Sequence, residues 1–362
     1  MTVKNDIAQG ADNLLMNCAG LKPHETLLII CEDPTLGWYD AAAPEAISAL
    51  ARNMGVNPTM MKVGSPENDL DPALEAAIAA HDCTVYFSRI GDQLRFDKAL
   101  PGKRSVMSYI RDIDMLGSVY GRTSFGACLM LKEAVNDILL NAQHVEITCP
   151  LGTNYSGCAT DNARREKTDV SVRRFPLGVP LPLDASRFSG KVALAHFLTP
   201  TGSKPYHPAS IPLRGTTFVD VENGRIKGFS GDKNQVAKIE EHYEMVANKF
   251  GIDCDIVHSW HAGIHPGSSY PADAVDDPDR WSNSVFTNPR FLHFHTCGNY
   301  APAEICWMVL DHTICVDGKN LWENGRLDPN GFSQTKACLE QWPELNALFA
   351  HPSQDIGLPE HQ

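Results

Sequence analysis

The sequence predicts an α/β domain with a parallel sheet over residues 1–140, followed by a β-rich α+β domain over residues 141–362. Three observations carry this reading. Strand-length apolar runs alternate with helical-period runs in the first third of the chain. The texture then changes to short alternating runs broken by Gly and Pro. A length of 362 residues at 43 % hydrophobic content also favours two domains over one.

The first half is read in order as follows. ETLLIICED, Glu25 to Asp33, is a continuous apolar run of strand length. APEAISALARNMG, Ala43 to Gly55, has apolar residues at helical spacing and stops at a glycine. PTMMKVG reads as a second strand, DPALEAAIAAH as a second helix capped by Asp71, and CTVYFSR as a third strand. The segment after the first strand, CEDPTLGWYD, lacks the glycines that let a pyrophosphate approach the backbone, so a dinucleotide site is not expected. From about Asn141 onward, HVEITCPLGTNYSG, DVSVRRFPLGVPLPL and GTTFVDVENGRIKGF read as short strands, with ENGR as a hairpin turn. One helix interrupts them, from Asp232 to Gly251, with an Asp cap, a terminal Gly, and Val236, Ile239, Tyr243 and Val246 on one face.

Charge narrows the partners. Forty-four acidic against thirty-one basic residues give a net charge of -13, which argues against nucleic acid, because phosphate binding needs clustered Lys and Arg. No unbroken apolar run of membrane-spanning length occurs, and the first twenty residues carry no basic stretch followed by an apolar one, so a cytoplasmic protein with no membrane partner is expected. Eleven cysteines, an odd number without paired spacing, suit a reducing compartment and no disulfides.

The histidines are the informative residues. Six of the fourteen lie between His258 and His312, in HSWHAGIHPG, FLHFHTCGNY and MVLDHTICVDG, while neither CxxC nor HExxH occurs. Imidazole is the commonest transition-metal ligand, and a sheet brings together ligands remote in sequence. Strand alternation puts His293 and His295 on one face with Phe294 on the other. The same rule separates Asp311 from His312 if the strand is regular. Asp311 stands in an apolar run where a carboxylate is costly to bury unless it is paired or metal-bound.

LLMNCAGLKPHETLLIICED, VEITCPLGTNYSG, RRFPLGVPLPL, VENGRIKGFSG, HAGIHPG and LDHTICVDGKNLWENGRL, in that order, resemble the aminopeptidase T-like metalloprotein family over most of the chain. That family holds two-metal aminopeptidases and a branch of mononuclear iron ring-cleaving enzymes, the 2,5-dihydroxypyridine 5,6-dioxygenases. The peptidases have a ligand Glu after Pro-x-Gly, where this chain has Val179 following Pro176-Leu177-Gly178. They have another where HAGIHPG begins, and His261 there matches the dioxygenase branch. The dioxygenases end on an HxD, where this chain reads Val309-Leu310-Asp311. The resemblance therefore implies Fe(II), with Zn or Mn as alternatives, held by His261, Asp311 and either His293 or His295, or by a site rebuilt around His312.

The chemistry so implied is ring cleavage of a hydroxylated pyridine or related aromatic by O2, with His265 or His312 as the proton acceptor. Arg174, or its neighbour Arg173, would hold a substrate carboxylate or oxyanion. A mononuclear metal-dependent hydrolase acting on an amide is the second expectation, and a metal-free relative the third. Relatives form homo-oligomers, and the resemblance implies the same for this chain.

Overall fold

Strand β1 (Leu27–Glu32) is buried along its whole length, as an interior strand of a parallel sheet covered on both faces must be. The computed structural model describes residues 2–67, 70–161, 163, 170–200, 205–298 and 303–358. In it, β1 pairs in parallel with β2 (Thr59–Val63) on one side and β3 (Cys83–Phe87) on the other. β4 (Arg104–Ser108) continues the sheet beside β3. The helices Ala42–Asn53 and Pro72–Ala80 make the first two crossovers; Gly55 (φ +82°) follows the first, and Asp71 caps the second by accepting from the Ala73 N–H. The fifth strand differs from expectation. β7 (Arg173–Phe175), read from sequence with the β-rich half, pairs in parallel with β4 and completes the order β2-β1-β3-β4-β7. Three residues are too few to carry a period, so only the partner strand reveals the assignment.

The strand order reverses between β1 and β3, the place where doubly wound sheets open a ligand crevice at their carboxyl ends. An ion pair occupies that place. Glu32, the last residue of β1, is buried and accepts from the Arg89 backbone N–H at 2.9 Å and from Arg89 Nε at 2.8 Å, with Nη2 at 2.6 Å. The Arg89 guanidinium lies 4.3 Å from the centre of the Trp38 ring. The missing glycines of CEDPTLGWYD thus coincide with a side-chain pair at the switch point.

The chain falls into two compact units, Met1–Leu129 with Asp169–Leu177, and Met130–Thr168 with Gly178–Gln362. The second unit is built from two antiparallel sheets. One contains β5 (Val145–Thr148), β6 (Asn154–Gly157), β9 (Phe188–Leu194), β12 (Thr217–Glu222), β13 (Arg225–Ser230), β17 (Thr313–Val316), β18 (Lys319–Glu323) and β19 (Arg326–Leu327). Its order is β13-β12-β9-β6-β5-β17-β18-β19. The other contains β8 (Leu183–Asp184), β10 (Phe197–Pro200), β11 (Ile211–Pro212), β14 (Val257–Ala262), β15 (Phe291–Thr296) and β16 (Ile305–Leu310), in the order β11-β10-β16-β15-β14-β8. The ENGR turn joins β12 to β13 through Asn223 (φ +48°) and Gly224 (φ +69°), the left-handed pair that a tight hairpin requires. The helix Lys233–Phe250 is capped by Asp232 and followed by Gly251 at φ +65°, as its sequence predicts. Aromatic rings fill the space between the two sheets. Tyr155 stacks on Phe188 at 5.4 Å and meets Phe294 edge-on at 5.4 Å, while Phe188 meets Trp260 at 5.5 Å.

Two stability predictions follow from this packing. Glu32→Gln removes the charge that balances Arg89 and should lower the unfolding free energy by about 3 kcal/mol, the low end for breaking a buried pair. Urea denaturation of the full chain measures it, and a midpoint within error of wild type would show the pair to be dispensable. The second concerns His242, His265 and His312, which burial pushes down to about 4. Each stays neutral in the fold but protonates near 6.5 once unfolded, so the unfolded state binds more protons between those values. Their contribution to stability is complete above about pH 6.5 and falls as pH drops toward 4. Unfolding should accordingly take up protons at about pH 5, measured by calorimetry in buffers of different ionisation heat, and no uptake would contradict the neutral burial of these rings.

Candidate metal centre

Strands β14, β15 and β16 lie side by side, and their register decides which side chains meet. His261 stands opposite His293, Ser259 opposite His295, and His293 and His295 stand opposite Met308 and Cys306. One face of these strands carries Trp260, Ala262, Leu292, Phe294, Trp307 and Val309 into the core. The other face carries His261, His293 and His295. The alternation expected for FLHFHTCG is therefore present, with Phe294 packing 5.6 Å from Trp307 on the far side.

All three imidazoles are buried, with residue exposures of 3 %, 7 % and 7 %. One ring nitrogen from each can be chosen so that the three lie within 4.8 Å of one another. The His261 and His295 rings stack at 5.1 Å with 15° between their planes, and their Nε2 atoms are 3.0 Å apart. His293 meets His261 edge-on at 5.3 Å and His295 at 4.8 Å. Phe291 and Phe286 sit 5.8 and 6.3 Å from the His293 ring and give the cluster an apolar flank. Three convergent buried imidazoles with their ring nitrogens turned inward fit a transition ion that takes nitrogen donors.

Asp311, the carboxylate expected as a ligand, is not in the group whose donor atoms converge with the histidines. β16 ends at Leu310, and Asp311 takes a left-handed backbone (φ +51°), so the strand is not regular through MVLDHTI. Its carboxylate accepts from Arg290 Nε at 2.7 Å and Nη2 at 2.9 Å, a forked pair, and its N–H donates to the Arg290 carbonyl. The cost of burying that carboxylate is met by a guanidinium. Gly325 is packed against the pair, since a Cβ there would lie 2.8 Å from Asp311 Oδ1. Val309, in the position of the HxD histidine, belongs to the core and faces away from the imidazoles, so a histidine there would not reach them. Val179 is buried as well.

The two expected proton acceptors also stand outside the cluster. His265 Nδ1 accepts from the Gly267 N–H at 3.2 Å, and the His265 N–H donates to the Thr287 carbonyl at 2.9 Å. These bonds make His265 a support of the Pro266-Gly267 turn. His312 is wholly buried, with its ring 6.3 Å from Trp322. Burial pushes both to about 4, below the range that suits a base working near neutrality. Arg174 is on β7, in register with Met107, and belongs to the first unit; Arg173 beside it donates to the Cys18 carbonyl. His258 falls at the register shift between Val257 and Ser259, is half-buried, and bonds Ser259 Oγ at 2.8 Å.

Sequence reasoning missed Glu304. It is buried just before β16, with Oε2 3.4 Å from His295 Nδ1. The signal lay in the register: Glu304 is two residues from Cys306, which faces His295, so it shares the histidine face diagonally.

No described protein family matches the sequence, and no curated protein is similar to it in sequence. Solved structures are similar in fold. The chain superposes on the 2,5-dihydroxypyridine dioxygenase of Pseudomonas putida with a TM-score of 0.59 at 11 % identity, covering 91 % of this chain and 98 % of that one. The aminopeptidase AmpT of Thermus thermophilus aligns with a TM-score of 0.48 at 12 % identity, over 90 % and 99 % of the two chains. The α/β-plus-antiparallel architecture expected from the sequence is thus the fold of this chain and, by the first of these likenesses, of a solved dioxygenase.

Proposed function

We propose that this chain is a mononuclear non-haem iron(II) dioxygenase that opens the ring of a hydroxylated pyridine or a related hydroxylated aromatic. The observation that carries the reading is the convergence of His261, His293 and His295 on one buried sheet face, in a fold shared with a ring-cleaving dioxygenase. The donor set supports one metal rather than two. A dinuclear hydrolytic site needs bridging carboxylates to neutralise two cations, and the cluster supplies three imidazoles, with Val179 and His261 where the two-metal peptidases carry Glu.

His261, His293 and His295 would hold the ion through three ring nitrogens, which would leave room among its ligands for a chelating substrate. Iron(II), when bound, supplies the one-electron chemistry that lets O2 react with an electron-rich ring. The protein's own residues supply the rest. The stacked His261 and His295 rings hold two nitrogens in fixed relation, and Phe286 and Phe291 keep the His293 side apolar. His265 and His312 are assigned no proton transfer, because both are held neutral in the interior.

Zn or Mn in the same donors would instead serve a hydrolase, a reading that three neutral imidazoles also suit. Two measurements decide between them. Protein purified without oxygen should hold one iron per chain, and His261→Ala, His293→Ala and His295→Ala should each weaken its binding and abolish turnover. Asp311→Asn should keep the metal and cost stability, because it leaves Arg290 buried beside a neutral partner. An empty site in a folded Asp311→Asn protein would overturn the ligand assignment. In the second measurement, hydroxypyridines and hydroxylated aromatic acids are offered under air. One O2 consumed per ring lost supports the oxygenase, amide cleavage without oxygen uptake by a zinc-loaded protein replaces it with the hydrolase, and a wild type that takes up no metal leaves the metal-free relative.

A further inference from the structure

We propose that Glu304 is a positioning residue for the histidine cluster: its carboxylate takes the Nδ1–H of His295 and keeps the His295 Nε2 lone pair turned toward His261. The purpose of this arrangement rests on the metal reading above, and its existence rests on geometry.

A neutral imidazole has one N–H and one lone pair, so fixing the hydrogen on Nδ1 fixes the lone pair on Nε2. Glu304 Oε2 lies 3.4 Å from His295 Nδ1, with side-chain exposures of 1 % and 9 %. A carboxylate that deep requires donors, and the His295 Nδ1–H is within reach. At 3.4 Å the contact is longer than a formed hydrogen bond, and the proposal is that the two groups close it. The Glu304 backbone is held in place, since the buried Tyr206 hydroxyl donates to its carbonyl at 2.8 Å.

The far side of the ring agrees. His295 Nε2 and His261 Nε2 are 3.0 Å apart, and two lone pairs cannot face each other at that distance. One of the two nitrogens must carry a proton in the metal-free protein. With His295 fixed as the Nδ1–H tautomer, that proton is on His261 Nε2, and for His261 Nε2 to ligate a cation the ring would have to carry its proton on Nδ1 instead. Glu304 itself is outside the set whose donor atoms all lie within 4.8 Å of one another, which favours an outer position over direct ligation. Carboxylates that orient a ligating histidine in this way raise its basicity, and removing them typically weakens metal binding by about 10–100-fold.

The test uses Glu304→Leu, which removes the acceptor while keeping volume, and Glu304→Ala as a second variant should the first fail to fold. In long-range 1H–15N spectra of the metal-free full chain, His295 should be the Nδ1–H tautomer in wild type and lose that preference in the variant. In calorimetric titration with Zn(II) alone, the variant should bind about 10–100-fold more weakly. In a His295→Ala background, the same change at Glu304 should have less than about a threefold effect, since the residue acts through that ring. The proposal is overturned by an Nε2–H tautomer in wild type, by an unchanged tautomer and Zn(II) affinity in the variant, or by an undiminished loss in the His295→Ala background, which would make Glu304 a direct ligand. A wild type that binds no Zn(II) but shows the Glu304-dependent tautomer would remove the metal reading and leave the positioning intact.

Discussion

The register of β14 against β15 is the constraint on which the candidate centre depends. It sets His261 opposite His293, and β16 carries the pattern on. Because side chains alternate along a strand, the same choice sends Trp260, Phe294 and Trp307 into the core and the imidazoles to the other side. A slip by one residue would exchange the two sets, burying histidines among rings and turning tryptophans away from them. The aromatic contacts between the sheets therefore fix the register, and the register fixes the cluster. The shift between Val257 and Ser259 absorbs the irregularity before the strand reaches His261, which leaves His258 out of the pattern and half-buried.

What could be read in the sequence was local. The capped helix from Asp232 to Gly251, the Asn223-Gly224 turn, the apolar strands β1 and β3 and the shared face of His293 and His295 all follow from spacing and from residues that supply caps or left-handed angles. What could not be read was pairing. β7 is three residues long and joins the first sheet only because β4 offers a free edge. Glu304 looks like any acidic residue before a strand until Cys306 is known to face His295. Asp311 is a half-buried carboxylate, and the partner that satisfies it, Arg290, is remote in sequence and becomes visible only when β16 ends one residue before it. A regular strand through that point was the assumption that failed.

Charge is handled differently at the arginine pairs of Glu32 and Asp311 and at the histidine face. At the β1/β3 switch point and at Asp311 a carboxylate meets two guanidinium nitrogens of an arginine, so each pair is nearly neutral. At the histidine face, three imidazoles converge with one carboxylate, Glu304, set to one side. Desolvating imidazoles costs less than desolvating carboxylates, and the aromatic packing on the opposite face aligns the strands that carry them.

That difference bears on reaction class under the proposed reading. A divalent ion among three neutral rings and one outer carboxylate keeps a net positive charge in an apolar setting, and such a site favours an anionic chelating ligand over a neutral amide. A hydroxylated ring would meet that requirement as its anion, and an ion held by His261, His293 and His295 would favour that anion, so the proposed reading asks for no strong base nearby. This removes the need that His265 and His312 were expected to fill, and it agrees with finding both of them neutral, buried and engaged in the fold rather than in the cluster.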